Sequence, residues 1–367
     1  MYKYERIIQQ LIASFSTLPP NAPIPSRAML CSKYKISRAT ADRIMARLRS
    51  DGVIRTKVGS GSFISPEFYA KCQEAGRTVW NWGVILPNIM TNSFPGILRG
   101  IEDFAQQKGI NTIICNTDYD VEREHQYINR LISSKVNGLI IVPSLYTHLN
   151  MKAYTQLLRQ KIPYVFCNRG SDELPTVPLV SCNNFYGSYL GTKYLIQRGY
   201  KHIGFLSAIR FQTSIERLNG FCAAHMEADR PIDYKIVIPQ TDSGDESNIT
   251  DTIRAMLSSH NPPDAIFCHN DVIAQQVYVV AAQMGLRISD DIGVIGFDNN
   301  LPICLSLTPK LTSISYRDYE IGQHAADLLY NMEFENRNDC RNVYLLRPDL
   351  VIRESCLGPA TVPTKDD

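Results

Sequence analysis

Amides, carboxylates, two arginines and one aromatic recur in this sequence just after short apolar, β-branched runs. Ser93 and Phe94 follow Gly83 to Leu86, Asn116 and Asp118 follow Thr112 to Cys115, and Asn168 and Arg169 follow Tyr164 to Cys167. Farther along come Arg217 near a helix start, His269-Asn270-Asp271 after Ala265 to Cys268, and Asp298-Asn299 after Gly293 to Phe297. This inventory suits a sugar-like ligand, because each hydroxyl needs a donor and an acceptor while the CH face of a ring stacks on an aromatic. Taken singly, each residue has a plainer explanation. Asp271 would cap the helix after it, Asp118 would serve a turn, Phe94 would fill core, Arg169 and Arg217 would pair with acids, and His269 would be a satisfied loop histidine. Their shared placement at successive strand ends favours a binding site.

The elements that must position them alternate from Trp80 onward. Apolar runs at 83–86, 112–115, 138–142, 164–167, 202–206, 236–238, 265–268 and 293–297 are separated by amphipathic stretches, three of which stop at Gly109, Gly199 and Gly285. Continuous apolar strands joined by helices imply buried parallel sheets, whose ligands bind beyond the carboxyl ends of the strands. About 280 residues exceed one comfortable doubly wound sheet, so two lobes are expected.

A second set of chemistry-bearing residues lies at the start of the chain. Ile7, Ile8, Leu11, Ile12 and Phe15 form one helical stripe, Pro25-Ser26 opens a second helix, and Ser37 caps a third with Ala41, Ile44, Met45 and Leu48 on its apolar face. Arg38, Thr40, Arg43 and Arg47 stay outside. Two short strands follow, joined by a glycine-bearing tip at Lys57-Val58-Gly59-Ser60-Gly61. A helix presenting Ser, Arg and Thr at its N-terminal end can enter a major groove, and a glycine tip lets backbone approach a phosphate. The bland alternative is a capped surface helix before an ordinary hairpin.

Charge separates these readings. The formal net charge is only +2. Yet residues 1–65 carry eleven Lys and Arg against three acids, which leaves the remainder net acidic. A basic head on an acidic body points to a polyanion partner for the head alone. Composition, with 44% hydrophobic and 20% charged residues, is that of a globular chain. Ten cysteines stand singly, without C-x-x-C spacing or histidine clusters, and read as reduced thiols of a cytoplasmic protein. No apolar run is long enough for a membrane span, and no metal or cofactor is expected. Residues 66–79 open with Pro66 and lack an apolar period, so they read as a linker.

Two resemblances sharpen these expectations. IPSRAML, ISRATADRIMARLRSDGVI and KVGSGSFI, in that order, resemble the GntR family of winged helix-turn-helix regulators. The resemblance implies DNA contacts from Ser26, Arg27, Ser37, Arg38, Thr40, Arg43, Lys57, Gly59 and Ser60. The chain departs from that pattern at Arg27, where an acid is usual, and at Asp42, where Arg is usual. SFPGILRGIEDFAQQKGINTIICNTDYDVEREHQYINRLISSKVNGLIIVPS, YLIQRGYKHIGFL, ERLNGF, FCHNDVIAQQV, IGVIGFDNN and LTSISYRDYEIGQHAADLL resemble the effector-binding body of the LacI/GalR family. That likeness implies a cleft lined by Ser93, Phe94, Asp118, Asn168, Arg169, Arg217, Asn270, Asp298 and Tyr316. It departs at Cys182, where Asp is usual.

The combined expectation is an α/β chain: a winged helix-turn-helix over 1–68, a linker over 69–79, and a two-lobed, periplasmic-binding-protein-like body of doubly wound parallel sheets over 80–357. One lobe would comprise about 80–183 plus 315–345 and the other 184–314 plus 346–357. Functionally this describes a dimeric repressor of palindromic operator DNA, controlled by a monosaccharide or sugar phosphate. An enzyme is the weaker reading, since G-x-G-x-x-G after a strand, Walker, H-E-x-x-H and G-x-S-x-G motifs are absent. So is a pure sugar-sensing module, which has no use for a basic head.

Overall fold

The computed structural model describes residues 3–15, 18–57, 61–70, 80–90, 93–144, 151–171, 173–207, 212–238, 249–334 and 343–358. The chain divides into two compact units, Met1–Val79 and Trp80–Asp367.

In the first unit, Ile7, Ile8, Leu11 and Phe15 give α1 (Lys3–Phe15) one apolar face. That face packs with Leu30 of α2 (Arg27–Tyr34) and with Ala41, Ile44, Met45 and Leu48 of α3 (Arg38–Ser50). The hydroxyls of Ser26 and Ser37 accept from the backbone N–H of Met29 and Thr40, satisfying donors that a helix start leaves orphaned. Gly52, at φ 70, turns the chain out of α3 into β1 (Ile54–Lys57), which pairs antiparallel with β2 (Gly61–Ile64). Ile54 faces Ile64 in that register and both are buried, so the hairpin closes the helical core. Arg38, Arg43 and Lys57 are exposed. Gly59 and Ser60 lie outside the described residues.

Two details revise the sequence reading. Residues 66–70 form a helical turn rather than linker. Ser65 caps it through Phe68 N–H, and Phe68 and Tyr69 pack on the head core, so Pro66 acts as a helix opener and not as a break. The two departures from the GntR pattern are also joined to each other: Arg27 Nε lies 2.6 Å from Asp42 Oδ1, an ion pair linking α2 to α3.

The second unit holds β3 (Trp80–Leu86), α4 (Phe94–Lys108), β4 (Ile110–Asn116), α5 (Val121–Ser133), β5 (Gly138–Ile141), α6 (Met151–Arg159), β6 (Tyr164–Cys167) and β7 (Leu179–Cys182). There follow α7 (Asn184–Gln197), β8 (Ile203–Leu206), α8 (Gln212–Glu227), β9 (Val237–Ile238), α9 (Ile249–Leu257), β10 (Ala265–Cys268) and α10 (Asp271–Gln283). The chain ends with β11 (Gly293–Asp298), α11 (Leu301–Ser306), β12 (Thr312–Ser315), α12 (Asp318–Phe334), β13 (Val343–Leu346) and β14 (Asp349–Val351).

Among the described residues these strands form two six-stranded sheets, ordered β13-β7-β6-β5-β3-β4 and β14-β12-β11-β10-β8-β9. The first is parallel throughout, and the second is parallel except where β14 pairs antiparallel with β12. Strands such as β5, β6 and β10 are buried along their whole length, which is why they read as unbroken apolar runs. The chain passes between sheets after β7, after β12 and after β13. Among the described helices none is long and apolar enough to cross a membrane.

Helix pairs clamp each lobe at very close range. A methyl group on Gly100 of α4 would collide with the Tyr319 carbonyl of α12, and one on Gly322 of α12 with the Ile97 carbonyl of α4. Gly220 of α8 meets the Phe185 carbonyl of α7 in the same way. Backbone cannot yield as a side-chain tip does, so overpacking here exceeds the helix-propensity gain of losing a glycine. Gly100→Ala should therefore destabilise the body by about 1–3 kcal/mol, read as a lowered urea midpoint with unchanged slope. An unchanged or raised midpoint would contradict the crossing.

Candidate functional site

On the second lobe the site is built around one buried guanidinium. Arg217 sits in the second turn of α8 and is 4% exposed. Its Nε donates to Asn184 Oδ1 at 3.0 Å, its Nη1 donates to the His269 carbonyl, and its Nη2 lies 3.5 Å from Asp298 Oδ1. The guanidinium carbon stands 3.6 Å from the centroid of the Phe297 ring, a cation–π contact. Asp298 ends β11 at φ 103, a conformation that non-glycine residues adopt only under local strain. Burial pushes its carboxyl up to about 7, against the pull of Arg217.

His269 and Asn270 occupy the loop from β10 to α10. Asn270 Oδ1 accepts from Ile273 N–H at 2.9 Å, so Asn270 is the helix cap, and the expectation that Asp271 caps that helix is corrected. Asp271 instead turns inward. Its carboxylate accepts from Ser313 Oγ and Asn300 N–H, each at 2.6 Å, and burial raises it to about 6. His269 also departs from the satisfied loop histidine expected: its Nδ1 is buried without a hydrogen-bond partner among the described residues. Burial and the nearby Arg217 hold that imidazole neutral well below the usual histidine range.

The first lobe supplies the facing wall. Ser93 precedes α4 and its Oγ accepts from Asn168 Nδ2 at 3.4 Å. Asn168, at φ 69, leaves the end of β6, and its carbonyl accepts from Tyr316 Oη across the two sheets at 3.3 Å. Arg169 Nε donates to the Pro143 carbonyl at 2.7 Å, and its guanidinium lies 5.9 Å from the Tyr119 ring centroid. Beneath Pro143, buried Glu124 of α5 accepts from Ser144 N–H and Tyr154 Oη, each at 2.6 Å. Burial raises its carboxyl, as it does that of Asp271 in the other lobe.

Ser93, Phe94, Asn168, Arg169, Arg217, Asn270, Asp298 and Tyr316 thus line one cleft. Asp118 does not. Its backbone takes φ 52, its carboxylate is bound by Asn116 Nδ2 and Arg123 Nη1, and its side chain is 57% exposed. Its place is filled by Tyr119, one residue on, and Thr213 and His269 also line the cleft. A cavity of about 270 Å³ adjoins it, sharing Asn168, Arg169 and Thr213 and walled by Leu174, Val177, Leu345 and Glu216.

The raised carboxyls have a stability consequence. Asp298 and Asp271 bind protons in the folded chain up to pH of about 7 and 6, whereas an unfolded Asp releases its proton near pH ~4. Their contribution is complete below the unfolded value and is lost as pH rises through the folded one. The ligand-free protein should lose stability between about pH 4 and pH 7, and Asp298→Asn should flatten the upper half of that slope. Urea titrations at a pH series check this; an identical slope in the variant would contradict the assignment.

Comparison with known proteins places this geometry. Residues 79–347 match the family described as periplasmic binding proteins and sugar binding domain of LacI family. The chain is 29% identical over 361 residues to the arabinose metabolism transcriptional repressor of Geobacillus stearothermophilus, covering 96% of this chain and 97% of that one. It is 32% identical over 277 residues to the ribose operon repressor of Halalkalibacterium halodurans, covering 75% and 79% respectively. A solved LacI family transcriptional regulator from Enterococcus faecium with bound ribose superposes with a TM-score of 0.65 at 26% identity, over 76% of this chain and 99% of that one. The strand-end cleft, the paired six-stranded sheets and these matches lead to one conclusion: the chain belongs to the LacI family.

Proposed function

We propose that this protein is a bacterial transcriptional repressor whose body binds a small sugar or sugar derivative in the cleft and whose head binds operator DNA. The observation that carries the reading is the convergence of Asn168, Arg169, Arg217, Asn270 and Asp298, polar groups far apart in sequence, around one aromatic-walled cleft. The head is read as a GntR-type winged helix. Support comes from α1, α2 and α3 followed by the β1–β2 hairpin, with Arg38, Arg43 and Lys57 exposed. The alignment with the arabinose repressor also extends over the head, because it spans 96% of the chain. The cytoplasmic, dimeric state belongs to this proposal too; two heads on a near-palindrome supply the avidity that one small domain lacks.

Control follows by linkage. A sugar that bridges the two walls favours the closed body, and DNA affinity shifts by the same factor that DNA imposes on sugar affinity, commonly ~1–3 kcal/mol in such couplings. The Tyr316 Oη bond to the Asn168 carbonyl joins the two sheets at the cleft, so closure is felt where the sugar sits.

Two measurements test the halves separately. Asp298→Ala should weaken sugar binding about ten- to hundredfold in calorimetry while ligand-free DNA binding stays intact, since an unmet partner in a dry site costs ~1–3 kcal/mol. Sugar affinity equal to the parent would place the site elsewhere. In the head, Arg38→Ala should abolish selective DNA binding, whereas Lys57→Ala should weaken all sequences alike and reduce the salt slope by about one. Normal operator binding by Arg38→Ala at moderate salt would refute the recognition-helix assignment.

A further inference from the structure

The Arg27–Asp42 ion pair has no role in the apolar core of the head. Both side chains are about half exposed, at 51% and 52%. Asp42 is the sole acid on α3, a helix that otherwise shows Arg38, Arg43, Arg47 and Arg49. It lies four residues after Arg38 and so shares its face. A carboxylate in that position repels a phosphate backbone, and a helix selected only for attraction to DNA would not carry it there.

What the carboxylate does is hold Arg27. That arginine opens α2, next to the Ser26 cap, and its Nε is engaged by Asp42 Oδ1 at 2.6 Å. The side chain stays about half exposed, so its terminal amino groups remain reachable from outside. An arginine drawn toward a carboxylate at this distance is biased in direction, and its two terminal amino groups form one planar fork. That fork matches the O6 and N7 acceptors of guanine in the major groove. An unpaired arginine would serve a phosphate equally well; one paired with Asp42 is directed toward a position.

We propose that Asp42 is a positioning residue for base readout: it fixes Arg27 of α2 so that Arg27 recognises a guanine in each operator half-site. The inference rests on the DNA-binding reading of the head and adds to it a base contact outside the recognition helix, governed by an acid on that helix. Removing Asp42 frees Arg27 to wander onto phosphates, so discrimination falls while general attraction to DNA does not.

The test uses the full-length chain. Duplexes are selected from a randomised pool, and the selected duplex, its single-base variants and a scrambled duplex are then titrated by fluorescence anisotropy across a salt series. Arg27→Ala and Asp42→Ala should both lose preference for guanine at the same symmetric position, about tenfold or more. Asp42→Ala should keep or gain affinity for the scrambled duplex, and Asp42→Glu should retain the guanine preference. Thermal melts of each variant separate these effects from misfolding, which would weaken all duplexes together. A uniform loss in Arg27→Ala, with the salt slope reduced by about one, would overturn the inference in favour of a phosphate contact. So would an unchanged preference in Asp42→Ala. Arg38→Ala distinguishes the two levels: if it abolishes selection while Arg27→Ala and Asp42→Ala leave every preference intact, the inference fails and the head assignment stands. If the parent chain enriches no duplex, both fall.

Discussion

A guanidinium cannot remain in a protein interior unless its charge and its donors are met, and the second lobe is arranged so that those of Arg217 are. The start of α7 supplies the Asn184 amide oxygen, the end of β10 the His269 carbonyl, and the end of β11 both the Phe297 ring face and the Asp298 carboxylate. One side chain on α8 therefore sets the relative positions of loops that are otherwise unconnected. The strained backbone at Asp298 is held by this constellation. Each lobe repeats the logic one layer down with a buried carboxylate, Glu124 under Ser144 and Asp271 under Asn300 and Ser313. The loops lining the cleft are pinned from beneath, which leaves their upper surfaces preorganised for a ligand.

The alternation of strands and helices was legible because burial on both faces writes an unmistakable apolar run. The same rule hid β13, where Val343 and Leu345 are about half exposed on the edge of the first sheet. β7 escapes for another reason: it is largely buried, but its four residues end in Ser181-Cys182 rather than in an apolar run. Helix α6, between β5 and β6, was not singled out although its apolar residues Ala153, Tyr154 and Leu157 are buried.

At the cleft, placement at strand ends pointed to Ser93, Asn168, Arg169, Asn270 and Asp298 among others, and the likeness to the LacI/GalR body singled these out together with Arg217, which sits in a helix. What could not be read was orientation. Asn and Asp offer the same capping chemistry locally, and only the arrival of Ser313 and Asn300 from elsewhere decides that Asp271 turns inward. Asp118 and Tyr119 both take positive φ, and that local twist sends the carboxylate to solvent and the ring to the cleft. The plain reading of His269 as a satisfied loop histidine fails because satisfaction of a ring nitrogen is a property of the folded surroundings and leaves no trace in spacing.

The interleaving of the two sheets bears on how the chain is made. Leu179 of β7 pairs with Val343 of β13, and α4, formed early, finds its tight partner in α12, which begins at Asp318. The first sheet is thus left open until late in synthesis, although most of its strands emerge first. Until residue 318 and beyond leave the ribosome, the Gly100 face of α4 and the apolar edge of β7 stand uncovered while the second sheet lacks little more than β14. Nascent chains arrested in that interval expose apolar surface of one particular lobe, and chaperone dependence or premature aggregation would concentrate there rather than in the lobe made later.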